Sequence, residues 1–258
     1  MPDFLKAVVL GCVQGATEFL PISSSAHLLA LERALDFRFG GLTFDVSVHI
    51  ATLLAVILYF RWEIAGLFER GRFWPAAARI ALATVPVAAA GFLLADFRRG
   101  ISPWFAVGGW TFSATYLLLT RGRAGRTSYA EMPLPAAFGV GLAQALSIVP
   151  GVSRSGSTIA AGLWLGLSRE SAAKFSFLIA IPAMLGAGLH EARGLLQGSE
   201  AAGGFWALSA LAASVAFLVG LVAIHALLAA LGRGRFWRFG WYNLAAAAAF
   251  ATFLLFGG

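Results

Sequence analysis

The sequence predicts an all-α, polytopic membrane protein, with six full transmembrane helices and two re-entrant helical hairpins in an inverted-topology repeat. Three observations lead to this fold class. Hydrophobic residues make up 59% of the 258-residue chain and charged residues only 12%, a composition too apolar for a soluble domain of this length. Several apolar stretches are long enough to cross a bilayer. Two further apolar regions are each interrupted near the middle by Pro and Ser residues.

Six uninterrupted apolar stretches are predicted to form the full spans. A helix rises about 1.5 Å per residue, and the hydrocarbon layer of a bilayer is about 30 Å thick. The stretches that satisfy this length cover roughly 44–60, 77–95, 103–120, 174–192, 204–231 and 238–256.

The two interrupted regions cover roughly 4–35 and 135–167 and contain the clusters LPISSSAH and VPGVSRSGST. Each half of such a region forms only about two to four helical turns, too short to cross the bilayer alone. Irregular backbone at membrane depth is tolerated only where protein or a wet cavity surrounds it. Each region is therefore predicted to be a re-entrant hairpin, whose two half-helices enter and leave on the same side.

The two hairpins resemble each other, and this predicts an internal repeat. Each contains Gly, Gln, Pro and Ser at similar spacing, with one-residue slips: Gly11, Gln14, Pro21 and Ser23, then Gly141, Gln144, Pro150 and Ser153. A hairpin plus three spans crosses an odd number of times, so the second copy enters from the opposite face. The prediction is one membrane domain over 1–258, with repeat one at 1–120, repeat two at 135–258, and the two Ser-rich tips meeting near the bilayer midplane.

The distribution of Lys and Arg predicts the orientation. One side carries Arg61, Arg70, Arg72, Arg79, Arg121, Arg123, Arg126, Arg169, Lys174, Arg233, Arg235 and Arg238. The other side carries fewer: Lys6, Arg33, Arg38, Arg98, Arg99 and Arg193. The first side is therefore predicted to be cytoplasmic, with both termini outside the cytoplasm. Basic residues beside apolar spans favour contact with anionic membrane lipids, so nucleic acid is not an expected partner.

The second hairpin tip has the residues of an anion site. Arg154 lies far from either set of loops, and an intramembrane Arg needs an anionic partner. The N-H groups and the positive dipole end of a helix N-terminus also favour anions. Three hydroxyls surround the same helix start, those of Ser153, Ser155 and Thr158. The tip is predicted to bind a phosphate, although ordinary N-capping hydroxyls and a snorkelling Arg would also explain the pattern.

The first half-helix offers oxygen ligands. Gln14 and Glu18 are four residues apart, so they share one helix face and point toward the break. They could hold a divalent cation, and Glu18 could accept a proton. A structural carboxylate that caps the facing Ser cluster is the alternative. Asp45 and His49 share a face of the first full span and are predicted to line the same cavity as a second layer, or simply to hydrogen-bond between helices.

The residues after the first break indicate a nucleophile. Ser23, Ser24 and Ser25 present hydroxyls at a helix N-terminus, and His27 follows about one turn later. A hydroxyl near an imidazole and a carboxylate is the arrangement of an activated nucleophile. A buried His with a satisfied hydrogen bond is the structural alternative.

Together, QGATEFLPISSSAH and PGVSRSGST resemble the motifs of the bacterial undecaprenyl-diphosphatase family, which is also known for bacitracin resistance. Its signatures are Glu/Gln-x-x-x-Glu, Pro-Gly-x-Ser-Arg-Ser-x-x-Thr and a histidine. The similarity runs across essentially the whole chain, including FSFLIAIP at 175–182. The resemblance implies hydrolysis of undecaprenyl diphosphate to undecaprenyl phosphate and inorganic phosphate in the bacterial inner membrane, which recycles the lipid carrier for peptidoglycan synthesis.

The resemblance also implies roles for individual residues. It assigns a divalent cation, Mg²⁺ or Ca²⁺, to Gln14 and Glu18, although Gln14 leaves fewer charges for a metal than a second carboxylate would. Its catalytic set comprises Glu18, Ser24, His27 and Arg154. The resemblance assigns phosphate binding to Ser23, Ser25, Ser153, Arg154, Ser155 and Thr158. The implied partners are the polyprenyl diphosphate substrate and bacitracin, which competes for it.

Three questions stay open at this point. The nucleophile is Ser24, His27 or water, and the oligomeric state is not fixed, so a homodimer stays open. A secondary transporter or lipid flippase with a midplane anion site is the alternative function, because inverted repeats with broken helices also build transporters. Fold alone does not fix function.

Overall fold

The computed structural model describes residues 2–34, 41–69, 71–94, 102–197 and 205–256. These residues form helices joined by short loops. The helices are α1 Asp3–Phe19, α2 Ser24–Ala34, α3 Gly41–Tyr59, α4 Arg61–Leu67, α5 Phe73–Leu93, α6 Trp104–Leu118, α7 Leu134–Ala145, α8 Arg154–Trp164, α9 Arg169–Gln197, α10 Phe205–Gly232 and α11 Phe239–Phe256. Short 3-10 turns follow α7 and precede α11, at Leu146–Ile148 and Phe236–Arg238.

Among the described residues, four helical segments are long and apolar enough to cross a membrane: Phe73–Leu93, Arg169–Leu189, Trp206–Gly232 and Phe236–Phe256. Helices α3 and α4, bent by 68° at their junction, add a fifth if they count as one span. The chain is therefore an all-helical, multi-pass membrane protein. The predicted span at 103–120 corresponds to α6, whose 15 residues make it shorter than these, so six full spans stay a prediction.

Helix α1 is longer than the predicted half-helix. Its 17 residues make about five turns, whereas the sequence-based expectation was about two to four. Asp3 lies in its first turn, where a carboxylate favours the helix N-terminus, and is 3.1 Å from the Lys6 ammonium. The helix ends at Leu20, whose extended backbone (φ −66°, ψ 147°) is the conformation favoured before a proline.

The second break is built in the same way. The 3-10 turn after α7 ends at Val149, which is extended (φ −74°, ψ 123°) and precedes Pro150. Gly151 follows with φ +92°, a conformation that a side chain would strain. This turn also lies directly on α6, because a Cβ atom added at Gly109 would be 2.1 Å from the Pro150 carbonyl oxygen. Both breaks thus lie where the sequence predicts them.

Each hairpin packs mainly on a helix from the other half of the chain. Helix α1 lies along α10, where a Cβ added at Gly11 would be 2.5 Å from the Ala212 carbonyl oxygen. Helix α7 lies along α5, where a Cβ added at Gly141 would be 2.5 Å from the Ala83 carbonyl oxygen. Gly11 and Gly141 are residues that the sequence comparison paired, so the two hairpins are anchored by equivalent contacts.

A buried aromatic cluster connects the first hairpin to the second half. Phe177 of α9 stacks on Phe60, with ring centroids 4.9 Å apart. Its ring also lies 6.0 Å from that of Phe19, at the end of α1. Phe19 and Phe177 are fully buried, so this contact fixes where α1 ends relative to α9.

Some residues used in the orientation prediction lie outside the described part of the chain: Arg38, Arg70, Arg98 and Arg99. The orientation of the two termini therefore stays a prediction.

Candidate active site

The two hairpin tips are in direct contact. The Gly151 N-H donates a hydrogen bond of 3.1 Å to the Ser23 hydroxyl. A Cβ added at Gly156 of α8 would lie 3.2 Å from Cβ of Pro21. The sequence predicts that the Ser-rich tips meet, and they do.

The irregular backbone of the first tip is satisfied by side chains from two other helices. The Trp110 indole N-H of α6 donates to the Ile22 carbonyl at 2.7 Å, and the Asn243 amide of α11 donates to the Pro21 carbonyl at 2.8 Å. Unpaired backbone groups are costly at membrane depth. Trp110 and Asn243 therefore stabilise a turn that the apolar surroundings would otherwise disfavour.

The backbone polar groups of the second tip are hydrogen-bonded by side chains of α6. The Ser113 hydroxyl donates to the Gly151 carbonyl at 2.9 Å and accepts from the Ser153 N-H at 3.2 Å. The Tyr116 hydroxyl is 3.2 Å from the Ser153 carbonyl oxygen. Helix α6 thus holds both tips, one through Trp110 and the other through Ser113.

Ser23 has an unusual backbone conformation. Among the described residues other than glycine, it alone has a positive φ, at +68°. Its hydroxyl accepts from Gly151 and lies 3.3 Å from the Ser25 hydroxyl, and its side chain is buried. A strained residue at this place persists because the surrounding contacts determine it.

The Glu18 carboxylate is the centre of the site. One oxygen is 2.8 Å from a guanidinium nitrogen of Arg154, and the other accepts from the Ser24 hydroxyl at 2.7 Å. The Gln14 side-chain amide donates to the same second oxygen at 3.3 Å. The Glu18 and Arg154 side chains are only 10% and 13% exposed. The carboxylate and hydroxyl of the first hairpin and the guanidinium of the second therefore form one buried cluster.

Two polar atoms of this cluster have no hydrogen-bond partner among the described residues. They are the Arg154 Nη1 and the Gln14 Oε1, and both are buried. A buried polar group without a partner is costly, and in native proteins it usually has a functional explanation. The free guanidinium nitrogen is a donor for an anion, and the free amide oxygen is a ligand for a cation.

His27 points away from this cluster. Its Nδ1 is 2.8 Å from the Ser23 carbonyl oxygen and its Nε2 is 2.8 Å from the Tyr242 hydroxyl. The sequence suggests either Glu18 or His27 as the group that takes the proton of a nucleophilic serine. In the structure, the Ser24 hydroxyl is bonded to Glu18.

Of the two residues predicted to form a second layer, Asp45 and His49, His49 lies beside the site. His49 lies close enough to Glu18 to interact with its charge. Asp45, one turn earlier on α3, is exposed.

The hydroxyls of the second motif contact the start of α8. The Ser153 hydroxyl accepts from the Gly156 N-H at 3.2 Å, as an N-cap, and lies 3.2 Å from the Ser155 hydroxyl. The Thr158 hydroxyl is bonded to the Arg154 carbonyl at 2.7 Å and to Ser176 of α9 at 2.6 Å. Thr158 therefore holds the turn that carries Arg154 against α9.

The donor set fits a divalent cation held together with a phosphate, rather than one held by protein alone. The described residues contain no group of three His, Cys, Asp or Glu side chains that could hold a metal. An ionised carboxylate has about four acceptor positions, and Arg154, Ser24 and Gln14 use three of those on Glu18. The unpaired Gln14 Oε1 and the remaining position on Glu18 are available to a cation.

A second polar cluster has a structural role. Glu63 of α4 is 2.7 Å from the Lys174 ammonium of α9, and Lys174 also pairs with Glu170 at 2.9 Å. The Tyr129 hydroxyl donates to Glu63. Burial, reinforced by the Glu63 carboxylate, raises the pKa of Tyr129 above its ordinary value. The ion pair of Glu63 with Lys174 ties α4 to α9.

Sequence reasoning missed the residues that support the site from α6 and α11, namely Trp110, Ser113, Tyr116, Tyr242 and Asn243. One signal was available. An Asn within an apolar helix is expected to hydrogen-bond to a neighbouring segment, and Asn243 does so at Pro21.

Residues 7–249 match the family described as bacitracin resistance protein BacA. The chain belongs to this family. A relative from Rubrobacter xylanophilus, named undecaprenyl-diphosphatase, is 42% identical over 99% of this chain and 100% of its own length. Relatives with the same name from Idiomarina loihiensis and Trichlorobacter lovleyi are 39% and 40% identical, over 98% and 95% of this chain and 99% and 94% of their own lengths.

Proposed function

We propose that this chain is an integral-membrane phosphatase that hydrolyses undecaprenyl diphosphate to undecaprenyl phosphate and inorganic phosphate, and so recycles the lipid carrier for cell-wall synthesis. The observation that carries the proposal is the Glu18 carboxylate, which bonds the Ser24 hydroxyl on one oxygen and the Arg154 guanidinium on the other. Membership of the BacA family and relatives named for this activity support it.

In the proposed first step, Ser24 attacks the terminal phosphorus of the diphosphate. The Ser24 oxygen forms a bond to phosphorus while the bond to the bridging oxygen breaks, so undecaprenyl phosphate leaves. Glu18 takes the hydroxyl proton, since its oxygen is 2.7 Å from Ser24. Water then hydrolyses the serine phosphate, which releases inorganic phosphate and restores the Ser24 hydroxyl. Attack by His27 or directly by water is the competing mechanism.

Arg154 and the N-termini of α2 and α8 are proposed to bind the diphosphate. The unpaired Nη1 of Arg154 can donate to a phosphate oxygen while Nη2 keeps its bond to Glu18. Donors fixed before the reaction stabilise the negative charge that develops in the transition state, because they need not reorganise. The hydroxyls of Ser23, Ser25, Ser153 and Ser155 surround the same helix starts and are proposed to complete the phosphate site.

A divalent cation, Mg²⁺ or Ca²⁺, is proposed as the cofactor. Gln14 Oε1 and Glu18 would hold it. When bound, such a cation neutralises charge on the phosphate oxygens. In this arrangement Gln14 also keeps Glu18 in place, because its amide donates to the carboxylate.

We propose that the chain lies in the bacterial inner membrane as an inverted repeat, with six spans, two re-entrant hairpins and both termini outside the cytoplasm. The exchanged anchoring of the hairpins supports a repeat, since α1 packs on α10 and α7 on α5. Repeat one would be 1–120 and repeat two 135–258. A cysteine at Ser25, which is exposed, would report the side on which the site opens when labelled with an impermeant reagent.

Bacitracin is proposed to compete with the protein for its lipid substrate, in accord with the family description. Adding bacitracin to the purified protein should then lower phosphate release, and additional lipid diphosphate should restore it.

The decisive experiment is phosphate release from undecaprenyl diphosphate by the purified protein in detergent. A transporter or flippase gives no product there, because detergent leaves no two compartments. Wild-type protein is expected to release phosphate. Ser24→Ala and Arg154→Ala are each expected to release it about 10²- to 10³-fold more slowly. Adding a chelator is expected to lower the wild-type rate.

Matched controls exist for both variants. Arg72 makes an ion pair of the same length, 2.8 Å, with Glu69 in an exposed place, and Ser214 bonds only its own helix backbone in the described structure. Arg72→Ala and Ser214→Ala should keep wild-type rates. No phosphate from the wild type would refute the proposed function, and full rates from both site variants would refute the roles given to Ser24 and Arg154.

A further inference from the structure

His27 is held between aromatic residues of two other helices. The Trp110 ring of α6 meets it edge-on, with ring centroids 5.0 Å apart. The Tyr242 ring of α11 lies nearly parallel to it, at 17° with centroids 5.7 Å apart. The orientation of the imidazole is therefore set by helices α6 and α11 as well as by α2.

The hydrogen bonds of His27 determine which nitrogen carries its proton. Nδ1 is 2.8 Å from the Ser23 carbonyl oxygen, and a carbonyl oxygen only accepts. In a neutral imidazole one nitrogen donates and the other accepts, so Nδ1 carries the hydrogen and Nε2 has the lone pair. The Tyr242 hydroxyl, 2.8 Å from Nε2, must then be the donor in that bond. Nε2 is the basic nitrogen.

The place of Tyr242 is fixed by the residue after it. The Asn243 amide donates to the Pro21 carbonyl of the first tip at 2.8 Å and to the Phe239 carbonyl of α11 at 2.9 Å. Asn243 is fully buried. This bond ties α11 to the hairpin that carries His27, so the helix backbone that bears Tyr242 is held beside the imidazole.

We propose that Tyr242 is a positioning residue of the phosphatase site, whose hydroxyl donates to Nε2 of His27 and holds the imidazole in its observed orientation, while the Ser23 carbonyl fixes the hydrogen on Nδ1. This inference rests on the proposed function, and on a role there for the basic Nε2 of His27 toward the phosphate or the attacking water. The Tyr242 side chain is 46% exposed, so its hydroxyl can move aside for a phosphate or water that approaches Nε2. The bond from Nδ1 to the Ser23 backbone stays in place during that exchange.

A conservative pair of variants tests the role in turnover. Tyr242→Phe keeps the ring and removes only the hydroxyl. It is expected to lower kcat by about 10- to 100-fold with little change in KM, because a misplaced catalytic group affects the chemical step more than binding.

The control is a second Tyr-His pair, Tyr59 and His225, joined by a hydrogen bond of 3.2 Å. Tyr59→Phe is expected to keep the wild-type kcat. A wild-type kcat in Tyr242→Phe, or an equal loss in Tyr59→Phe, would overturn the inference. Absence of activity in the wild type would instead overturn the proposed function.

A second measurement is independent of activity. Nitrogen NMR of protein labelled at its four histidines, with His27→Gln to assign the signal, reports the tautomer directly. We expect a protonated Nδ1 and an unprotonated Nε2 at His27 in the wild type. In Tyr242→Phe the hydrogen should stay on Nδ1, but the Nε2 signal should shift because this nitrogen loses its hydrogen-bond donor. A protonated Nε2 in the neutral wild-type residue, or the same Nε2 signal in both proteins, would contradict the assignment.

Discussion

Ser24 and Arg154 are the first residues of α2 and α8, and each bonds a different oxygen of Glu18, at 2.7 and 2.8 Å. The two hairpins thus place a side chain at the same structural position and direct it to the same carboxylate. In one hairpin that side chain is a hydroxyl, and in the other it is a guanidinium. The proposed mechanism depends on this difference, because it needs both a nucleophile and a positively charged side chain beside one acid.

Glu18→Gln should reduce both activity and stability. We expect phosphate release to fall by about 10²- to 10³-fold and the free energy of unfolding to fall by about 3–5 kcal/mol, because Arg154 is left buried without an anionic partner.

The control is Glu69→Gln, which breaks an exposed pair of the same length and should change the free energy of unfolding by at most about 1 kcal/mol. Adding Arg154→Gln to Glu18→Gln should recover stability without activity. Denaturation in detergent measures the stability of each variant, and the phosphate assay measures its activity. A Glu18→Gln protein with wild-type stability and activity would contradict the prediction.

Substitutions at Ser23 separate backbone strain from the bond between the tips. Ser23→Ala and Ser23→Gly both lose the hydroxyl that accepts from Gly151, but only glycine is relaxed at φ +68°. The left-handed conformation costs other residues about 1–2 kcal/mol, and glycine loses about 0.5–1 kcal/mol in backbone entropy. Ser23→Gly should therefore be the more stable variant by about 1 kcal/mol. Thermal unfolding of the two proteins measures this, and the reverse order would count against strain at Ser23.

Gly156→Ala should separate the tips. An added methyl group would lie 2.9 Å from the Tyr116 hydroxyl and 3.2 Å from Cβ of Pro21, both fixed by packing. We expect lower thermal stability and lower activity. Gly108→Ala in α6 is the control, since nothing lies within 4 Å of a Cβ there, and it should gain about 0.5–1 kcal/mol from the helix preference of alanine. Equal melting temperatures for the two variants would show that the tips are not closely packed at Gly156.

The cation requirement should depend on Gln14. Gln14→Glu places a second carboxylate beside Glu18, so half-maximal activity should need less Mg²⁺ or Ca²⁺. Gln14→Leu removes the free amide oxygen, so its half-maximal activity should need a higher concentration of the cation. Titrating each cation into metal-free protein while following phosphate release gives the comparison. If all three proteins respond to the cation identically, Gln14 is not a ligand.

Much of the site follows from local sequence patterns. Pro21 and Pro150 predict the two breaks, because a helix cannot continue through the residue before a proline without strain. The four-residue spacing of Gln14 and Glu18 predicts that they share a helix face, and they are hydrogen-bonded. The isolated Arg154 predicts an acidic partner in the membrane, and Glu18 is that partner.

Other features could not be predicted locally. The contact between His27 and Tyr242 joins residues 215 positions apart and depends on how α11 packs against α2. The length of α1 was underestimated, because the helix continues without interruption from Asp3 to Phe19 and ends only at the residue before Pro21. The bonds of Thr158 also depend on packing, since its hydroxyl meets Ser176 on α9.

The exchanged anchoring of the hairpins has a consequence for how the chain is made. Gly11 and Gly15 of α1 lie against Ala212 and Ala216 of α10, which the ribosome synthesises almost a whole polypeptide later. The first hairpin therefore waits in the membrane, with its packing face uncovered, until translation is nearly complete. Packing of the candidate active site is therefore a late event in biogenesis.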